Sequence, residues 1–340
     1  MPSTPQHQRA NRANLLGLGF ISPNLTIFIV FSLAPALFTL GLAFFRWDPF
    51  SVPHFIGLGN FTRLCSDRQF WYFLFNTLIF LLGLPLSMAG SLGLALLMTR
   101  KLRGITMYRT VFYLPTITNG VALFLLWKVM FNKEGGLING IILPVLHLLG
   151  TTVGADHHAI TAADMPDWLQ TPFDLPTWFV GFGHAVLPQS WWFLVPQEIY
   201  CAKPALILMG VWSAVGGGNM LLYMAALTGV APELYEAAEM DGAGPWRRFR
   251  DITWPMIAPT TFFIMVMGVI GGLQGGFEVA YMMTGGGPDG STTTLGYYIF
   301  VKAFQDFEFG YAAAISFVLF AIIALVTWMN WRLGNRADGE

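Results

Sequence analysis

Charge is what this chain of 340 residues has least of. Asp, Glu, Lys and Arg together make up 11% of it, split into 18 basic and 19 acidic residues for a formal net charge of -1. So little charge is not enough to clothe a soluble globular domain in polar surface. The near-even balance says little about partners, and no nucleic-acid partner is expected from it. Cysteine is nearly absent too, with Cys65 and Cys201 the only two. Three catalytic signatures are missing. There is no Gly-x-x-x-x-Gly-Lys-Ser/Thr loop, nor any Gly-Lys dipeptide, so the chain carries no phosphate-cradling ATPase site of its own. There is no Gly-x-Ser-x-Gly nucleophile turn and no His-Glu-x-x-His zinc helix, which removes the common hydrolase and zinc-protease readings.

What the chain does have is apolar length. Hydrophobic residues are 55% of the sequence and mean hydropathy is +0.57. Apolar runs of about 20 residues, enough to cross a hydrocarbon layer roughly 30 Å thick, recur along it. Six are read at 15–45, 72–98, 110–130, 205–228, 258–284 and 311–331. Lipid offers no partner for open backbone groups, so such spans are expected to be helices and not barrel strands. The expected fold class is an all-α integral membrane bundle of six transmembrane helices, residues 15–332, flanked by tails at 1–14 and 333–340.

The few positive charges are placed unevenly. Arg9 and Arg12 precede the first span, and Arg100, Lys101, Arg103 and Arg109 lie between the second and third. Arg247, Arg248 and Arg250 lie between the fourth and fifth, while Arg332 and Arg336 follow the sixth. The positive-inside rule puts these four regions and both termini in the cytoplasm. The stretch 132–204, which carries more acidic than basic residues, then faces outward. Its tryptophan-rich part, 175–196, is interrupted by Pro188 and Pro196 and is read as an interfacial element, because a seventh crossing would invert the topology. The first apolar run is longer than a signal-peptide core and lacks a small-x-small cleavage site, so an uncleaved anchor is expected. Cys65 and Cys201 both fall outside, where a disulfide is permitted; a pair and two separate thiols both stay open.

The polar segment 229–257 interrupts the spans. Its Glu236, Ala237, Ala238, Asp241 and Gly242, followed by Ile252 and Pro255, resemble the Glu-Ala-Ala loop of ABC-importer permeases, with Trp254 where leucine is usual. Other stretches resemble the carbohydrate-import branch of that family: Gly57 to Phe61 with Phe70, Trp71, Asn76 and Thr77; Arg109 to Pro115, Trp127 and Gly136 to Asn139; Thr284 to Pro288, Ser291, Thr292, Thr294, Tyr297, Tyr298, Ala303 and Phe304. The physics of the loop agrees. Pro232 suits a first helical turn, Glu233 and Glu236 suit its positive end, Gly242 suits its stop, and Pro245 is expected to open a second short element.

The resemblance implies a bacterial inner-membrane permease subunit that moves a sugar or sugar-like solute, such as an oligosaccharide, polyol or glycerol phosphate, by alternating access. It implies a second permease in a heterodimer, two ATP-binding subunits and an external solute-binding protein. No cofactor is expected on this chain, ATP and Mg belonging to the partner ATPase. Glu236 would meet a basic residue in the ATPase groove.

Polar groups inside apolar spans mark a path. Gln274 and Glu278 are expected four residues apart on one helical face among glycines; Tyr281, Asn119, Trp127 and Asn76 are further candidates. His147, His157, His158 and His184 have no regular ligand spacing, and no metal site is expected. The alternative is a carrier driven by an ion gradient with Glu278 as its coupling carboxylate, which would leave the Glu-Ala-Ala loop without a role.

Overall fold

A computed structural model of the chain describes residues 19–99, 103–117, 120–148, 152–153, 158–159, 161, 165–170, 172–174 and 198–337. It is mostly helical. The first apolar run forms α1 (Gly19–Leu42). A two-stranded ladder pairs β1 (Phe45–Arg46) with β2 (His54–Phe55), and α2 (Gly59–Ser66), α3 (Arg68–Phe80) and α4 (Gly83–Met98) follow. Next come α5 (Ile105–Ile117), α6 (Val121–Met130) and α7 (Leu137–Leu148). Of the segment expected outside, two small antiparallel ladders are described, β3 (Thr152–Val153) with β4 (His158–Ala159), and β5 (Pro172–Asp174) with β6 (Glu198–Tyr200). Then follow α8 (Ala202–Val215), α9 (Gly218–Thr228), α10 (Pro232–Met240), α11 (Pro245–Gln274), a short helical piece α12 (277–284), α13 (Leu295–Phe300) and α14 (Phe309–Ala337).

The chain divides into two compact units, one of Met1–Ser66 with Val301–Val318 and the other of Asp67–Phe300 with Leu319–Glu340. In the first, small residues let backbone approach backbone. Ala43, Ala313 and Ala314 are buried together, and a Cβ on Gly310 would stand 2.0 Å from the Phe45 carbonyl oxygen. The Asn60 amide donates to the carbonyls of Ala43 (2.8 Å) and Phe45 (2.9 Å). Arg63 grips Glu308 through both guanidinium nitrogens at 2.9 Å and lies 4.0 Å over the Tyr311 ring.

Two buried clusters hold the second unit. Leu123, Phe124, Trp127 and Phe131 pack on Ala205, Leu206, Met209 and Met283. Leu92, Ala95 and Met98 pack on Met220, Tyr223, Met224, Ile257 and Ile264. Where α8 meets α9 the axis bends by 42°. At this bend a Cβ on Gly216 would fall 1.8 Å from the Phe112 carbonyl oxygen, so only glycine admits α5 there. The Ser91 hydroxyl caps the C-terminal end of α8, donating to the Val215 carbonyl at 3.0 Å.

The structure corrects three sequence expectations. Pro245 does not open a separate short element: the helix it starts continues to Gln274. Pro255 removes an amide and crowds the carbonyl four residues back, and the helix absorbs this by widening into a π-type turn over Phe249–Thr253. The expected fifth span to residue 284 is broken. Gly275 is extended and Gly276 left-handed at φ 87°, so α11 ends at Gln274. The third span starts at Ile105, and its second half begins only after Gly120, at φ 85°. Neither Cys65 nor Cys201 forms a disulfide among the described residues. The expected interfacial element at 175–196 lies outside them.

Candidate functional site

The Glu-Ala-Ala segment folds into α10, a nine-residue helix with Pro232 in its first turn. Its end is a Schellman motif: the Gly242 amide donates to the Glu239 carbonyl at 3.0 Å and the Ala243 amide to the Ala238 carbonyl at 2.8 Å. That closure requires a left-handed residue, and Gly242 supplies it at φ 74° with nothing within 4 Å of where a Cβ would stand. Gly242→Ala therefore meets strain and no clash. It is expected to cost about 1 kcal/mol of local stability, measured as roughly fivefold faster amide exchange at residues 242 and 243; an unchanged rate would refute it.

Behind α10 is a brace. The Tyr235 hydroxyl lies 2.8 Å from that of buried Thr253, and Arg248 pairs with Glu239 at 2.9 Å. The Trp246 and Phe249 rings stack at 5.7 Å. The Tyr235–Thr253 and Arg248–Glu239 contacts fix α10 against the first turns of α11, within which the ring stack lies. The other side is open: Glu236 and Ala237 are exposed, as is Asp241, and Met240 is 89% exposed with Leu234 and Trp246 also uncovered. Among the described residues neither Glu236 nor Asp241 has an ion-pair partner. Ile252 is half-buried and Pro255 exposed, both in α11. An exposed acidic and apolar face on a rigidly braced helix can dock a partner that offers cations and an apolar groove. Sequence reasoning missed the brace, because Arg248 and Glu239 lie on either side of the Gly242 turn and no periodicity pairs them.

The path candidates do not converge. Gln274 is the last residue of α11 and Glu278 belongs to α12 beyond the glycine break, so the two do not share one helical face as expected; both are exposed. Tyr281 stacks on Phe277 (ring centroids 5.7 Å, 11°) and meets Phe300 edge-on at 5.7 Å. Trp127 is a core residue, 4% exposed, wedged against Phe131 and Trp212. Asn76 is fully buried, and its amide donates to the carbonyls of Gly290 (3.0 Å) and Thr293 (3.1 Å). Its two donors thus serve the loop 285–294 and are not left for a solute. Asn119, His157 and His184 lie outside the described residues. Among the described residues no three His, Cys, Asp or Glu side chains gather as a metal site would require.

Comparison with known proteins bears on the family and the overall fold. The family model described as "binding-protein-dependent transport system inner membrane component" matches residues 91–338. The chain is 32% identical over 327 residues to the probable ABC transporter permease protein YesP of Bacillus subtilis, covering 95% of this chain and 91% of that one. It is 30% identical over 335 residues to the lactose transport system permease protein LacF of Rhizobium radiobacter, covering 97% and 98%. A solved chain, from a bacterial alginate ABC transporter in complex with an alginate pentasaccharide-bound periplasmic protein, superposes with a TM-score of 0.70 at 21% identity, over 96% of each chain.

Proposed function

This chain belongs to the family of binding-protein-dependent transport system inner membrane components, and from that premise we propose how its parts work as the permease subunit of an ATP-driven importer. It is a membrane component and not itself an enzyme. Its cargo is a sugar or sugar-like solute, a reading supported by the lactose permease among its relatives. Each turnover needs an external solute-binding protein, a second permease and two ATP-binding subunits. ATP and Mg act on those subunits, and no cofactor sits on this chain.

The observation that carries the mechanism is the braced, outwardly bare α10. Arg247, Arg248 and Arg250 follow it, as Arg9, Arg12, Arg332 and Arg336 mark the termini, which supports a cytoplasmic position for this helix and for both termini. Glu236 and Asp241 offer charge to a basic groove on the ATPase, and Met240, Leu234 and Trp246 offer apolar surface. Because α11 continues from the brace without a break to Gln274, movement of α10 is delivered directly to the glycine hinge at Gly275 and Gly276. That continuity converts ATPase closure into displacement of α11 and α12, the step that alternating access requires.

Gln274 and Glu278 flank this hinge and are proposed to contact solute as it opens. Glu278→Ala is expected to lower ATP-dependent uptake in proteoliposomes at least tenfold while the four-subunit complex still assembles. Normal uptake would remove Glu278 from the path. A carrier driven by an ion gradient is the other class considered, and a broken helix is a feature such carriers share. Uptake by this chain without ATP or ATPase subunits would establish that alternative and overturn the importer reading.

A further inference from the structure

A polar cavity of about 650 Å³ opens beside α12. It is lined by Lys128 and Lys133 from the end of α6 and the turn after it, by Glu134, by Asp167 and Gln170 from the 165–170 segment, and by Tyr281. Phe131, Leu169 and Met283, buried members of the adjoining core, form its floor. The walls are held in place. The Lys128 ammonium donates to the Met282 carbonyl at 3.3 Å, the Asp167 carboxylate accepts the Leu169 amide at 3.1 Å, and the Asn132 side chain accepts the Glu134 amide at 2.9 Å. The 165–170 segment is pinned from behind by Trp168, whose indole donates to Asn139 at 2.7 Å. Tyr281 remains 46% exposed at the rim even though its ring stacks on Phe277.

We propose that this cavity is an entry site for a neutral oligosaccharide of two or three rings, occupied before the solute reaches the hinge. The proposal rests on the importer reading, which supplies the cargo class and places this end of the chain outside. Three features point to such a ligand. The volume lies within the range of small-molecule sites. Two ammonium groups and two carboxylates surround one space, so an acid or a base would meet like charge as well as opposite charge, whereas hydroxyls can donate to the carboxylates and accept from the ammonium groups. The exposed Tyr281 ring offers an apolar face beside those polar groups, matching the two-sided character of a sugar ring.

The test uses the full complex in lipid nanodiscs without its binding protein. Saturation-transfer NMR is recorded against maltotriose, lactose, trehalose and diacetylchitobiose as neutral probes, with trigalacturonate and sn-glycerol 3-phosphate as anionic ones. We expect transfer to at least one neutral probe, lost fivefold or more in Tyr281→Ala and in Asp167→Asn, and unchanged in Phe50→Ala, at an exposed residue between β1 and β2 that does not line the cavity. Transfer confined to the anionic probes, transfer to none, or a signal that survives both variants would overturn the assignment. ATPase stimulation by the loaded binding protein is measured on the same samples. Stimulation without a saccharide signal defeats the cavity alone, while a complex that no loaded binding protein stimulates defeats the importer reading.

Discussion

Lysine in place of Glu236 is expected to strip the ATPase subunits from the purified permease, lowering their co-purification roughly 30-fold or more and abolishing ATP-dependent uptake. Glu236 sits in the middle of α10, exposed and with no ion-pair partner among the described residues, so its replacement breaks nothing within the chain. A carboxylate that becomes buried against a basic groove on docking loses its partner when removed, and reversal adds like-charge repulsion. Charge pairs of this kind govern affinity by factors of tens to thousands. Glu239 provides the internal comparison. It points back to Arg248 at 2.9 Å, so Glu239→Gln should loosen the brace but leave most of the docking affinity. Equal retention of the ATPase by wild type and Glu236→Lys would disprove the assignment of α10 as the docking helix. Thermal unfolding of the isolated permease, unchanged by Glu236→Lys, separates lost docking from lost folding.

The second large effect is expected inside the fold. Asn76→Leu should destabilise the second unit by roughly 1 to 3 kcal/mol, because the buried Thr293 carbonyl would lose its side-chain donor, while the Gly290 carbonyl keeps the Thr293 amide at 3.1 Å. Leucine keeps the branching of asparagine but is larger, so overpacking of this fully buried site adds to the lost hydrogen bonds. The loop 285–294 is otherwise held by its own side chains: Thr293 to the Gly286 carbonyl at 3.1 Å, and Tyr297 to the Gly285 carbonyl at 3.3 Å. Asn76 ties that loop to α3 by hydrogen bonds, and Thr77 accepts the Leu295 amide just beyond it at 3.0 Å. The expected readouts are a lower melting temperature and faster proteolysis between residues 285 and 294. A variant that melts and resists protease like wild type would show that Asn76 is no bracket.

Asn76 also shows where a reading of residue types stops short. A polar side chain in an apolar run is equally consistent with a solute contact and with a backbone bracket, and the deciding carbonyls lie more than 200 positions away in sequence. Trp127 failed as a path candidate for a related reason: an aromatic ring has the same apolar character whether it faces a sugar or Phe131 and Trp212. Gln274 and Glu278 are four apart, and the face they were expected to share exists only in an unbroken helix. The glycines between them were visible in the sequence, but glycine permits a break without requiring one. What the tertiary structure adds is contact: a Cβ on Gly276 would stand 2.6 Å from Thr294, so only glycine fits at the break.

The α10 helix was legible because its signals are local. Pro232 presets the first turn, Gly242 ends the last, and both act within a few residues of backbone. The membrane class was legible for a similar reason, since the length and apolarity of a run decide whether it can lie in lipid whatever its neighbours do. The sequence by itself therefore determined that this is a helical membrane protein, that it carries no phosphate-loop motif, and where the helix of its polar loop begins and ends. Only the tertiary structure decided that α10 is braced by Arg248 and Thr253, that the helix behind it runs unbroken through Pro255, and which polar side chains are spent on the fold. Those outcomes depend on pairings between residues distant in the chain, which composition and periodicity do not encode and close packing does.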